Sequence, residues 1–138
     1  MKVNTYLKTF RKKKRRRFLP DLKKSEYPAL TFDEAQFLRP NLIDKLSDLV
    51  DRHNITIICY GLRTDFQSKL FPGAKRLMEL ADDIEQIKTI CWCGKRAHFN
   101  ARIMNSQIIT DGDQLQLGSN KSYVSLCRKH YKLKQLKD

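Results

Sequence analysis

A chain of 138 residues with 41% hydrophobic content can build one cored domain, or one domain with a small appended lobe. No stretch approaches the ~18 consecutive apolar residues of a membrane span, and the basic N-terminus lacks the apolar core and small-residue cleavage site of an export signal. The net charge of +13 invites a nucleic-acid reading, but residues 1–24 hold eleven Lys or Arg against the single acid Asp21, so +10 of it belongs to one segment.

In chain order, that segment comes first. Arg11-Lys12-Lys13-Lys14-Arg15-Arg16-Arg17 is a self-repelling run, so residues 1–26 read as a basic, disordered tail. Any nucleic-acid contact it makes would be weak and sequence-independent, because no aromatic side chains interleave the run to stack on bases. From Tyr27 the texture becomes that of a folded α/β unit covering residues 27–87. Ala29 to Phe32 reads as a short buried strand ending at two carboxylates, Asp33 and Glu34. Pro40 suits a first helical turn, and Leu42, Ile43, Leu46, Leu49 and Val50 recur with helical period up to a stop near Asn54. Ile55 to Leu62 is apolar enough for a strand covered on both faces, with Cys59 in its core. Strand, helix, strand implies a parallel pair with a right-handed crossover. A polar segment, Arg63 to Gln67, then leads through Phe71-Pro72-Gly73 to a second helix carrying Leu77, Leu80, Ala81 and Ile84. Ligands of open parallel sheets sit beyond the carboxyl ends of the strands, where Asp33-Glu34 and Arg63-Thr64-Asp65 both fall.

Residues 88–138 read as a lobe of short strands and turns, among them Asn105-Ser106 and Asp111-Gly112. It carries C-x-C at Cys91 and Cys93, then C-x-x-H at Cys127 and His130, with 33 residues between the two motifs. Three thiolates and an imidazole suit Zn²⁺, and four protein ligands would close its tetrahedral shell and leave no position for metal-bound water. Such a metal holds a fold together and does not catalyse. Free cysteines are also common core residues, but two paired short motifs are more specific than either alone. His53 and His98 have no comparable partners and read as surface or loop residues. Thiols better used on metal than in disulfides, with no export signal, point to the cytoplasm.

Five co-linear stretches carry a resemblance: Asp33 to Leu38, Cys59 to Phe66, Leu80 to Asp82, Lys88 to Gly94 and Tyr123 to Tyr131. Over about residues 29–132 the chain resembles the zinc-containing thymidine kinases. The resemblance implies an incomplete P-loop-type parallel sheet with flanking helices, a small zinc-bound lobe, and phosphorylation of the thymidine 5′-hydroxyl by ATP. It implies a catalytic base at Glu34, and Mg²⁺ and ATP bound by Asp33, Glu34, Ala35, Gln36 and Arg63. Phe37, Leu62, Phe71 and Tyr123 match thymine-pocket positions, and Lys95 to Ser122 looks like the family's lasso loop, closing over the nucleoside. Homo-oligomers are also implied. The family's glycine-rich loop ending in Gly-Lys-Ser or Gly-Lys-Thr has no counterpart, since no glycine precedes Tyr27, and Met1 to Lys24 matches no part of the family pattern. The sheet should therefore have an open edge at Ala29 to Phe32, and the lasso's usual glycine pair is replaced by Gly118-Ser119. Two expectations follow. The first is a truncated thymidine kinase chain with little activity alone; the second is a non-enzymatic zinc-binding module with a basic nucleic-acid-binding tail.

Overall fold

The computed structural model describes residues 5–10, 29–114 and 122–137. Its first part runs through β1 (Thr5–Phe10), β2 (Ala29–Phe32), a 3-10 turn (Ala35–Phe37), α1 (Pro40–His53), β3 (Thr56–Leu62), α2 (Pro72–Leu80) and β4 (Asp83–Gln86). The four strands make one sheet in the order β2-β3-β1-β4. β2 and β3 are parallel, Ala29 opposite Thr56 and Phe32 opposite Cys59, the pairing that a helical crossover permits.

β1 overturns part of the expectation for the N-terminus. It runs antiparallel to β3, Thr5 opposite Leu62 and Phe10 opposite Ile57, and antiparallel to β4, Tyr6 opposite Gln86. Residues 5–10 are therefore a sheet strand and not part of a disordered tail, because two neighbouring strands take up their backbone groups. The sheet is accordingly mixed, with a single parallel pair. The basic run Arg11 to Arg17 lies outside the described residues.

Helix α1 begins at Pro40, whose fixed φ and missing N–H suit the first turn. It ends at Asn54, which adopts a left-handed φ of 53° and returns its N–H to the Val50 carbonyl at 3.0 Å. Ile43, Leu46 and Val50 are buried, whereas Leu42 and Leu49 are exposed, so the buried stripe is narrower than the apolar pattern. α2 likewise starts on a proline, Pro72, and buries Gly73, Ala74 and Leu77. Both helices share a core with Ala35 and with Ile57 and Cys59 of β3. Arg76 on α2 donates to Asp44 on α1 at 2.6 Å.

Two further expectations are corrected here. Ala29, Leu30 and Thr31 are exposed rather than buried, because β2 lies at the sheet edge and pairs with β3 alone among the described residues. The second helix stops at Leu80 and does not reach Ile84. Ala81 turns extended, and Asp83–Gln86 pairs with β1. Asp82 and Asp83 would also oppose a helix C-terminus, where the macrodipole disfavours negative charge.

The second part comprises β5 (Thr89–Ile90), β6 (Arg96–Ala97), β7 (Phe99–Met104), β8 (Gln107–Ile109), β9 (Ser122–Leu126) and α3 (Arg128–Lys132). β5 and β6 form one antiparallel pair, and β8-β7-β9 a second antiparallel sheet. Asn105 and Ser106 turn β7 into β8 with φ of 50° and 60°, the two positive values that a two-residue type I′ turn demands. Short strands and turns, as the sequence suggested, thus run from Arg96 to Ile109 inside the segment that the resemblance likens to the lasso loop, and Gly118-Ser119 lies outside the described residues. Cys91, Ala97, Ala101, Ile108, Leu126 and Cys127 form this lobe's core. Among the described residues no helix is long and apolar enough to cross a membrane.

Candidate functional site

The carboxylate pair sits where β2 gives way to the 3-10 turn. Glu34 takes a left-handed φ of 51°, unusual for a residue with a side chain, and its N–H is held by Asp33 Oδ1 at 2.9 Å. Gln36, almost fully buried, bridges the corner: Nε2 donates to Glu34 Oε2 at 2.5 Å, and Oε1 accepts the Leu62 N–H at 2.9 Å. Gly61 makes room for this bridge, since a Cβ there would lie 2.5 Å from Gln36 Oε1. On the opposite side a Cβ at Gly73 would meet the carbonyls of Leu38 and Gln36 at 2.5 and 2.6 Å, so α2 docks its first turn directly on the 3-10 turn. The Glu34 carboxylate is thus positioned by a buried amide tied to the end of β3.

A cavity of about 210 Å³ opens beside Glu34. Phe37, Leu62, Phe71 and Tyr123, separate in sequence, all line it with Glu34 and Gln36. Phe37 and Phe71 meet edge to face, ring centroids 5.5 Å apart and planes at 84°. Other expected residues fall elsewhere. Asp33 is exposed outside the cavity, Ala35 is wholly within the hydrophobic core, and Arg63 borders a small void with Gly61, Ala74 and Leu77.

The rest of the cavity wall includes Thr64 and Asp65, which the sequence placed at the carboxyl end of β3, and Phe66, Asn100 and Gln114, which sequence reasoning missed. Asp65 is buried, and its carboxylate accepts the N–H groups of Gln67 and Lys69 at 2.9 and 2.8 Å and the amide of Gln114 at 2.9 Å. Arg102 is also buried. Its guanidinium lies 3.6 Å over the Phe66 ring and donates to Tyr123 Oη at 3.0 Å and to the carbonyls of Asp113 and Gln114 at 3.1 and 3.3 Å. Together Asp65 and Arg102 fasten the segment after β8 to the cavity wall. Asp65 had a readable signal, since an aspartate shortly before Gln67-Ser68 favours a turn closed by its own side chain. Arg102 had none, because an arginine inside an alternating strand looks like any solvated position.

The four metal-ligating candidates converge. Sγ of Cys91, Cys93 and Cys127 and a ring nitrogen of His130 lie within 4.8 Å of one another. Around a zinc-sized ion, bond lengths of about 2.3 Å to sulfur and 2.0 Å to nitrogen require tetrahedral edges of about 3.8 Å between sulfurs and about 3.5 Å from sulfur to nitrogen. The structure has 3.9 Å from Cys93 to Cys127, and 3.5 and 3.6 Å from His130 Nδ1 to Cys91 and Cys127. The donor set therefore fits a four-coordinate ion, with Nδ1 as the ligating nitrogen. The backbone N–H of His130 leads the interactions that hold the Cys127 thiol below its ordinary pKa. At Cys93 the backbone hydrogen bond from Lys95 acts the same way, but burial and the adjacent Cys91 and Cys127 outweigh it and push that thiol up. Three crowded thiols resist ionising together, and a cation relieves that. His98 lies outside the set, its N–H on the Leu126 carbonyl at 2.9 Å; burial, then Arg96, Arg63 and Arg128, lower its pKa.

A thymidine kinase family model matches residues 2–131, so the match begins well before the stretch carrying the sequence resemblance and takes in β1. A thymidine kinase of Haemophilus influenzae is 49% identical over 114 residues, covering 82% of this chain and 59% of that protein. Thymidine kinases of Pasteurella multocida and Legionella pneumophila are 50% and 44% identical, covering 74% and 80% of this chain and 54% of each relative. The chain belongs to the thymidine kinase family. It spans somewhat more than half the length of these curated relatives.

Proposed function

We propose that these residues form the nucleoside-binding and zinc-binding part of an ATP-dependent thymidine kinase on a P-loop-type fold. One observation carries the reading: a single cavity gathers Glu34 with Phe37, Leu62, Phe71 and Tyr123. The perpendicular rings of Phe37 and Phe71 suit the face and edge of a thymine. Glu34, fixed through Oε2 by Gln36, keeps Oε1 to accept the 5′-hydroxyl proton as the general base. Asp33, exposed at the carboxyl end of β2, would hold Mg²⁺, which when bound would supply charge neutralisation for phosphoryl transfer. Arg63, outside the cavity, faces phosphate rather than base. Cys91, Cys93, Cys127 and His130 hold a structural Zn²⁺, and the segment they bracket closes over the nucleoside. The family reading also carries self-association and a cytoplasmic location.

These 138 residues contain no Gly-Lys-Ser or Gly-Lys-Thr phosphate cradle. Metal-loaded protein should therefore bind thymidine in a calorimetric titration yet phosphorylate it little or not at all with ATP. Phe71→Ala should weaken binding by about 1–3 kcal/mol. If a polypeptide bearing a P-loop restores turnover, Glu34→Gln should abolish it while leaving thymidine affinity within a few-fold. Metal-loaded protein that binds no thymidine would overturn the pocket assignment.

A further inference from the structure

Phe66 is the point at which the metal lobe, the sheet unit and the loop after β8 meet. Its ring carries the Arg102 guanidinium at 3.6 Å, and Arg102 holds the loop through Asp113 and Gln114. Its carbonyl accepts the Tyr131 hydroxyl at 2.5 Å. Tyr131 follows His130 directly on α3, and its ring stacks on Phe99 of β7 with centroids 4.6 Å apart and planes at 17°. Between a metal ligand and the cavity wall there is thus one residue step along α3 and one hydrogen bond.

We propose that Tyr131 is a positioning residue that couples occupancy of the metal site to the shape of the nucleoside cavity, an inference that rests on the pocket reading above. With the metal bound, His130 fixes α3, and Tyr131 holds the Phe66 carbonyl. That carbonyl adjoins the turn in which Asp65 gathers the amides of Gln67 and Lys69, and Asp65 itself lines the cavity. Without the metal, α3 loses its anchor at His130, and the Asp65 turn loses its outer support. Arg102 relays the same change to the loop, because it stacks on the ring of the same Phe66. Coupling of this kind is reciprocal, so a nucleoside in the cavity should retard loss of the metal.

The test is Tyr131→Phe, which keeps the ring on Phe99 and removes only the hydroxyl. Metal-loaded variant should retain one zinc per chain, while the amides of residues 65–69 exchange with solvent about fivefold faster, as loss of one hydrogen bond implies. In the wild-type protein, saturating thymidine should slow zinc release to a chromogenic chelator by about fivefold or more; in Tyr131→Phe that retardation should shrink below about twofold. A tyrosine serving only lobe stability would speed zinc release with and without thymidine alike, and would leave the retardation intact. Unchanged exchange at residues 65–69, or equal retardation in both proteins, overturns the proposal. If thymidine binds neither protein, the pocket reading fails and the exchange measurement alone decides the Tyr131 link. If the variant loses its metal or fold, chelation of the wild-type protein decides: residues 65–69 must open together with residues 126–131, and protection that persists at 65–69 overturns the link.

Discussion

The two halves of the molecule are held together by different physics. The α/β part buries branched aliphatic side chains, Ile43, Leu46, Val50, Ile57 and Leu77, between two helices and a sheet. The lobe's core is made of small residues, Ala97 and Ala101 beside Ile108 and Leu126, and its remaining members are the ligand candidates Cys91 and Cys127. Apolar burial grows with side-chain size, so the first core is self-sufficient in kind while the second is centred on the candidate metal ligands. A lobe built this way can place a loop accurately at little cost in chain length, but it stands or falls with one ion.

The largest effect should come from the ion. Chelation, or Cys127→Ser, removes a binding free energy of about 10–16 kcal/mol in structural zinc sites. Hydrogen exchange should then accelerate across residues 89–131 and in the adjoining 65–69 turn, while α1 and α2 keep their protection. Zinc retained at one per chain in Cys127→Ser would break the contrast between the halves. Ile43→Ala probes the other half. A wholly buried isoleucine shortened to alanine costs about 2–5 kcal/mol, which should appear in denaturant unfolding with zinc stoichiometry unchanged. Loss of zinc in that variant would show that the two cores fold as one.

The smallest effect concerns pH. His98 has its pKa lowered from the ordinary 6.5 by burial and by the arginines around it, so the unfolded chain binds its proton more readily than the folded one. Stability therefore rises with pH through the window just below 6.5 and falls on acidification. His98→Asn should flatten that part of the profile relative to wild type. Because acid also protonates the metal ligands in both proteins, only the difference between the two curves is informative, and identical curves would remove His98 from the account.

What could be read from the sequence follows this division. The candidate metal ligands were legible because chemistry fixes both their residue types and their short spacings, and Cys91, Cys93, Cys127 and His130 do converge. α1 was legible within a residue because period, proline and a terminal asparagine agree. β1 was not, since six residues of mixed character next to a long basic run give no sign that a sheet has a slot for them. Ile84 fits either a helix or a strand, and the open side of β1 decides between them. Of the carboxylate corner, the acids were visible while the geometry was not. The Gln36 bridge reaches the Leu62 N–H, 26 residues downstream, and needs Gly61 beside it, a relation that no local pattern expresses.

The chain has a single tryptophan, Trp92, between the two ligands of the C-x-C motif. Its indole stacks on the His130 imidazole with centroids 4.2 Å apart and planes at 12°. Selectively excited indole emission therefore originates from one position, in contact with the ring of a candidate metal ligand. If the proposed site takes up metal, this indole is a built-in optical gauge of its occupancy, and stopped-flow fluorescence should follow loading and release in real time without a label.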